Sequence, residues 1–220
     1  LERAHVGAFT ICPPKGAGLS QDQIRAALAS VLEPGYPTAL YQLPQVTENE
    51  MAPETVQELA AEFPNFYLFK DTSGEDRVAK AGLDLGGVFL VRGAEGNYAG
   101  WTGAAGGPYD GFLLSTANVF AHELNRILEL LAAGRPGQAR ELSDRLEAVV
   151  NPCFEMVADF PTGNAFTNAN KALDQVMAYG SHALDREPPM LYSGVRLPRR
   201  FAERAGDLLQ QQGLHPERGY

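Results

Sequence analysis

Phe66-Tyr67-Leu68-Phe69-Lys70-Asp71-Thr72-Ser73-Gly74 starts as a short aromatic and aliphatic run and turns polar at a lysine. Such a run reads as a strand, here one that ends on a charge. A lysine directed into a core has its ammonium form penalised by desolvation. The neutral amine that results can attack a carbonyl carbon and form a Schiff base. The same residues also read as a solvated lysine closing an edge strand, so the flanking sequence has to decide.

Upstream, Pro53 opens a helix with Val56, Leu59, Ala60 and Phe63 on one face. Before it, residues 37–43 form a strand stopped by Pro44, followed by a loop with Thr47, Glu48 and Glu50. Earlier still, Ser20-Gln21-Asp22-Gln23 is a capping box ahead of Ile24, Ala27, Leu28 and Val31, and Pro34-Gly35 ends that helix. Residues 5–11 read as a strand and residues 1–4 as the last turn of a helix. Downstream, residues 75–83 predict a short helix, and 87–91 a fourth strand leading into Arg92-Gly93-Ala94-Glu95. A helix over 97–105 is weakened by its glycines. Residues 109–114 make a fifth strand that ends at Ser115-Thr116-Ala117-Asn118. Amphipathic helices are then expected over 119–133, 136–150, 165–179 and 199–212.

Apolar strands alternating with helices argue for parallel βαβ units, whose chemistry gathers at the strand ends. Those ends carry Tyr41, Lys70, Glu95 and Ser115. Gly93-Ala94-Glu95-Gly96 has neither the dinucleotide fingerprint nor the phosphate-loop lysine, which argues against a nucleotide. With 18 basic against 27 acidic residues in 220, the formal charge of -9 disfavours nucleic acid and anionic membrane as partners. No apolar run reaches the length of a membrane span, and Leu1-Glu2-Arg3-Ala4 does not read as a signal peptide, so a cytoplasmic location is expected. Cys12 and Cys153 read as buried thiols rather than a disulfide. The scattered His5, His122, His182 and His215 offer no ligand spacing, and neither a metal nor a cofactor is expected.

Taken in order, Tyr41-Gln42-Leu43-Pro44, Phe69-Lys70-Asp71-Thr72-Ser73-Gly74 and Ser115-Thr116-Ala117-Asn118 resemble the dihydrodipicolinate synthase and N-acetylneuraminate lyase family. The resemblance implies a (β/α)8 TIM barrel, of which this chain would hold strands four to eight, with a C-terminal helical appendage. The domains would then be residues 1–134 and 135–220. It also implies a class I aldolase or dehydratase in which Lys70 forms a Schiff base with a 2-oxo acid and Tyr41 relays protons. Thr47, Gly93, Glu95, Leu113 and Ser115 fall on positions that contact substrate in the family, Leu113 through its carbonyl. A homo-oligomer, dimer or tetramer, is implied as well.

Two positions depart from the pattern. Val46 stands where dihydrodipicolinate-forming members carry an arginine that clamps the second substrate's carboxylate, and an aliphatic chain cannot do that. Pro14-Lys15 replaces an aromatic pair that completes the family's proton relay. The change at Val46 favours a lyase of 2-keto-3-deoxy sugar acids over a dihydrodipicolinate-synthase-like enzyme. A non-catalytic barrel relative that binds a 2-oxo acid is the alternative, and a flavodoxin-like five-stranded domain a third. On this mapping about three βα units would precede residue 1, so the sequence is expected to be part of a longer protein.

Overall fold

Among the described residues each strand of the sheet pairs with the next in the chain. The computed structural model describes residues 6–220. It contains one parallel sheet in the order β1 (Phe9–Ile11), β2 (Thr38–Gln42), β3 (Phe66–Asp71), β4 (Phe89–Arg92) and β5 (Gly111–Phe112). A doubly wound sheet reverses its strand order at a switch point and carries helices on both faces. Here the order never reverses, and right-handed crossovers then put every connecting helix on one face, as in a barrel segment. This order excludes the flavodoxin-like alternative.

The crossover helices are α1 (Gln21–Leu32), α3 (Pro53–Glu62) and α4 (Arg77–Ala81), with a one-turn helix α2 (Pro44–Thr47) after β2. Ser20 caps α1 as its sequence indicates: its hydroxyl accepts from the Gln23 N–H at 3.2 Å, and Gln23 Oε1 accepts from the Ser20 N–H at 2.9 Å. Ile24, Leu28 and Leu32 of α1 and Val56 and Leu59 of α3 pack with Leu40 of β2 and Phe69 of β3 into one buried cluster. Side chains alternate along a strand, so burying Leu40 and Phe69 against the helices turns Tyr41 and Lys70 to the opposite face.

By its internal contacts the chain divides into two units. One comprises Leu1–Ala94 with Trp101–Leu113, the other Glu95–Gly100 with Leu114–Tyr220. The second unit is helical: α5 (Ala117–Ala132), α6 (Pro136–Val157), α7 (Ala165–Tyr179) and α8 (Arg199–Gln211). It buries Ile127 and Leu131 of α5, Leu146, Val149 and Val150 of α6, Leu173 and Val176 of α7, and Leu208 and Leu209 of α8. None of the described helices is long and apolar enough to cross a membrane.

Three expectations need correction. Residues 97–105 form no α-helix; turns and a single 3-10 turn at Gly103–Ala105 take their place. Asn97, the first of these residues, sits in the left-handed region at φ 46°, which a helix does not contain, and the segment is flanked by Gly96 and Gly106 at 86° and 82°. The loop after Pro44 is partly helical, because proline favours a first helical turn. The helix expected to stop at 150 runs through Pro152 to Val157. The helical turn expected over residues 1–4 and the start of the first strand at His5 lie outside the described residues.

Candidate active site

Tyr41 and Lys70 are register partners on the adjacent parallel strands β2 and β3, so their side chains leave the same face side by side. Lys70 Nζ lies 4.2 Å from the centroid of the Tyr41 ring, within cation–π range. Both residues are half-buried, between the core and open solvent. Thr72, two residues after Lys70, places its hydroxyl 3.3 Å from the Tyr41 hydroxyl. Sequence reading passed over Thr72, although the period of two that links positions i and i+2 on a strand was enough to find it.

Gly93 closes one side of this group. Its N–H donates to the Asp71 carbonyl at 2.6 Å. A Cβ at this position would collide with Thr72 Oγ1 and lie 2.7 Å from Lys70 Cε. Only glycine permits so close an approach. Cys12 follows β1 directly and is half-buried, not fully buried as its sequence suggested. Partial burial pushes its thiol up, with the Lys70 charge opposing.

Asp71, beside Lys70 in the chain, faces the helices and is fully buried. Its Oδ1 accepts from the Ser73 N–H at 2.8 Å. Its Oδ2 and the neighbouring Gln42 Nε2 have no hydrogen-bond partner. Burial raises the Asp71 carboxyl above its ordinary value and the Asp76 charge adds to the rise, while Ser73 and, more weakly, Gln42 oppose it.

Thr47 is buried, and its hydroxyl lies 3.1 Å from the carbonyls of both Leu43 and Asn49. That hydroxyl closes the turn of α2. Leu113 follows β5, donates its N–H to the Arg92 carbonyl at 3.0 Å and leaves its side chain exposed. The exposed Val46 side chain offers no guanidinium.

Glu95 and Ser115 come together in the helical unit. Glu95 Oε1 accepts from the Ser115 hydroxyl at 3.1 Å and the Thr116 N–H at 3.3 Å. Glu95 Oε2 accepts from the Thr116 hydroxyl at 2.6 Å and the Tyr98 hydroxyl at 3.1 Å. Four donors fill the four lone-pair sites of a carboxylate. Burial, followed by the Glu95 charge and the hydrogen bond to it, holds the Tyr98 hydroxyl far above the usual phenol range. The Ser115 hydroxyl, donating its hydrogen bond to Glu95, keeps acceptor capacity. Ser115 also lines a cavity of about 410 Å³ with Asn118, Phe166 and Asn170.

The resemblance carried by these residues extends to whole-chain comparison. The model of the dihydrodipicolinate synthetase family matches residues 14–170. A 4-hydroxy-tetrahydrodipicolinate synthase of Erythrobacter litoralis is 36% identical over 114 residues, half of this chain and 38% of the relative. One of Novosphingobium aromaticivorans is 32% identical over 133 residues, 60% of this chain and 44% of the relative. The chain therefore matches less than half the length of these curated relatives. Among solved structures, dihydrodipicolinate synthase of Bacteroides thetaiotaomicron superposes with a TM-score of 0.70 at 18% identity, over 96% of this chain and 68% of that one. The Thermotoga maritima enzyme gives a TM-score of 0.66 at 16% identity, over 97% and 68%. At such identity the structures speak for the fold, a (β/α)8-type sheet. Because the family model spans both the Tyr41–Lys70 pair and the first two helices after the sheet, α5 and α6, the chain belongs to the dihydrodipicolinate synthetase family.

Proposed function

We propose that this chain carries the reacting lysine of a lyase that acts on a 2-oxo acid through a Schiff base on Lys70, with a 2-keto-3-deoxy sugar acid as the substrate class. The observation that supports this most directly is the pairing of Tyr41 with Lys70 across β2 and β3, which sets the amine 4.2 Å from the phenol ring. In the reaction, Lys70 Nζ adds to C2 of the substrate, the carbonyl oxygen leaves as water, and an iminium remains. The C3–C4 bond then breaks. Its electron pair becomes the C2–C3 double bond of an enamine as the iminium nitrogen takes up the C=N π electrons. The C4 hydroxyl proton passes by way of the Tyr41 hydroxyl to C3, so C4 departs as an aldehyde. Water adds at C2, pyruvate leaves, and the amine is regenerated. Thr72, at 3.3 Å, orients the Tyr41 hydroxyl. A homo-oligomer is part of this reading, by family resemblance.

The test is turnover of 2-keto-3-deoxygluconate followed by pyruvate release. Activity that Lys70→Ala abolishes is the expected result; activity that survives this change, or release of the dehydrated 2-oxo acid in place of pyruvate, contradicts the aldol step. A second reading, synthesis of 4-hydroxy-tetrahydrodipicolinate, is favoured by the names of the curated relatives. Val46 at the carboxylate-clamp position weighs against it, and assaying formation of 4-hydroxy-tetrahydrodipicolinate in parallel decides between the two.

A further inference from the structure

Asp76, Arg92 and Tyr109 are buried beneath the strand ends and belong to none of the groups that meet a substrate. Arg92 forks onto Asp76: Nε lies 2.9 Å from Oδ1 and Nη2 3.2 Å from Oδ2, with the two side chains 7% and 0% exposed. The Tyr109 hydroxyl donates to Asp76 Oδ1 at 2.7 Å. Arg92 Nη1 donates to the Ala94 carbonyl at 2.7 Å, and the guanidinium lies 4.5 Å from the Trp101 ring centroid. Asp76 itself is held in the left-handed region at φ 56°. The ion pair thus ties three separate segments: the turn after β3, the end of β4 and the approach to β5.

Replacing a buried ion pair with apolar side chains is often neutral for stability, so stability alone gives no reason for this network. Its position gives one. Arg92 is the register partner of Asp71, and the next residue, Gly93, lies so close that a Cβ there would collide with Thr72 Oγ1 and sit 2.7 Å from Lys70 Cε. We infer that Asp76, Arg92 and Tyr109 are positioning residues that lock the end of β4 so that Gly93 confines the Lys70 side chain over the Tyr41 ring. A reacting amine displaced by about 1 Å loses roughly 100-fold in rate.

The test uses the intact protein, the variant Arg92→Met and the double variant Asp76→Asn/Arg92→Met, which removes both charges and leaves no orphan ion. Two amine reactions are read by peptide mass spectrometry. The first is reductive methylation with formaldehyde, which depends on no 2-oxo acid; Lys15 and Lys171 serve as internal references. Lys15 is exposed and Lys171 is hydrogen-bonded to the Met190 carbonyl, so global unfolding would raise Lys171 as well. The expected result is Lys70 methylated about 10-fold faster in the variants, with the ratio of Lys171 to Lys15 unchanged. The second reaction is borohydride trapping of pyruvate, and this arm alone rests on the lyase reading. Its maximal rate should fall roughly 100-fold at an unchanged half-saturating concentration. An unaltered Lys70 methylation rate, or one that rises only together with Lys171, overturns the inference. Normal methylation behaviour in a wild-type protein that traps no pyruvate would instead count against the lyase reading and leave the positioning role standing.

Discussion

At the scale of single residues, the candidate site depends on close approaches rather than on unusual side chains. Gly93 is the sharpest case, since any Cβ there enters the space of Thr72 Oγ1 and Lys70 Cε. Gly93→Ala should cost about 1–3 kcal/mol in denaturant unfolding, the usual range for overpacking. It should also lower trapping of pyruvate at Lys70 more than the stability loss accounts for; equal trapping in the folded variant would show that the contact is slack. Asp71 supplies a pH dependence with a definite sign. Its folded-state pKa is raised above the ordinary 3.8, so in the interval between the two values the folded protein binds the extra proton. Stability from this group is therefore greatest in acid and declines as pH rises through the raised value. Asp71→Asn minus wild type, measured by urea unfolding across the acid range, should grow with pH and then level off. A difference that shrinks with rising pH would contradict the burial argument. Lys70 and Tyr41 were legible as strand-end residues, whereas their 4.2 Å contact needed the register of β2 on β3, which no local pattern encodes.

At the scale of elements, what could be read was what local chemistry determines. The capping box at Ser20 and Gln23, the proline start of α3 and the apolar stripes of α7 and α8 all lie where spacing and caps placed them. Ser20→Ala should cost about 1 kcal/mol in unfolding free energy, because the first turn of α1 loses its side-chain acceptor; no loss would mean that the cap is redundant. Residues 97–105 misled because apolar and small residues allow a helix, while the left-handed Asn97 and the nearby Ala99 are held by tertiary ties. Within the helical unit, Asn97 N–H donates to Glu147 Oε2 at 2.8 Å and Ala99 N–H to Ser143 Oγ at 3.3 Å. Partners some 40 to 50 residues away leave no trace in a window of ten. The same holds for the acceptor role of Glu95 toward Ser115 and Thr116, about 20 residues further along the chain.

At the scale of the whole molecule, the sequential strand order and the family match on residues 14–170 agree on a barrel-type sheet followed by helices. The two cysteines report on the two units separately. Burial pushes the Cys153 thiol in α6 up to about 12, and it has no exposed surface, whereas Cys12 at the end of β1 is half-buried. Iodoacetamide at pH 8 should therefore alkylate Cys12 in the native protein and spare Cys153 until the helical unit unfolds; native alkylation of Cys153 would contradict its packing. The central claim concerns Lys70, and the most direct measurement is peptide mapping after borohydride reduction in the presence of pyruvate or 2-keto-3-deoxygluconate. The account expects the mass of the reduced 2-oxo acid on the peptide that contains Lys70, and none in Lys70→Ala. An unmodified Lys70 peptide, or label on Lys15, Lys80 or Lys171 instead, would contradict it.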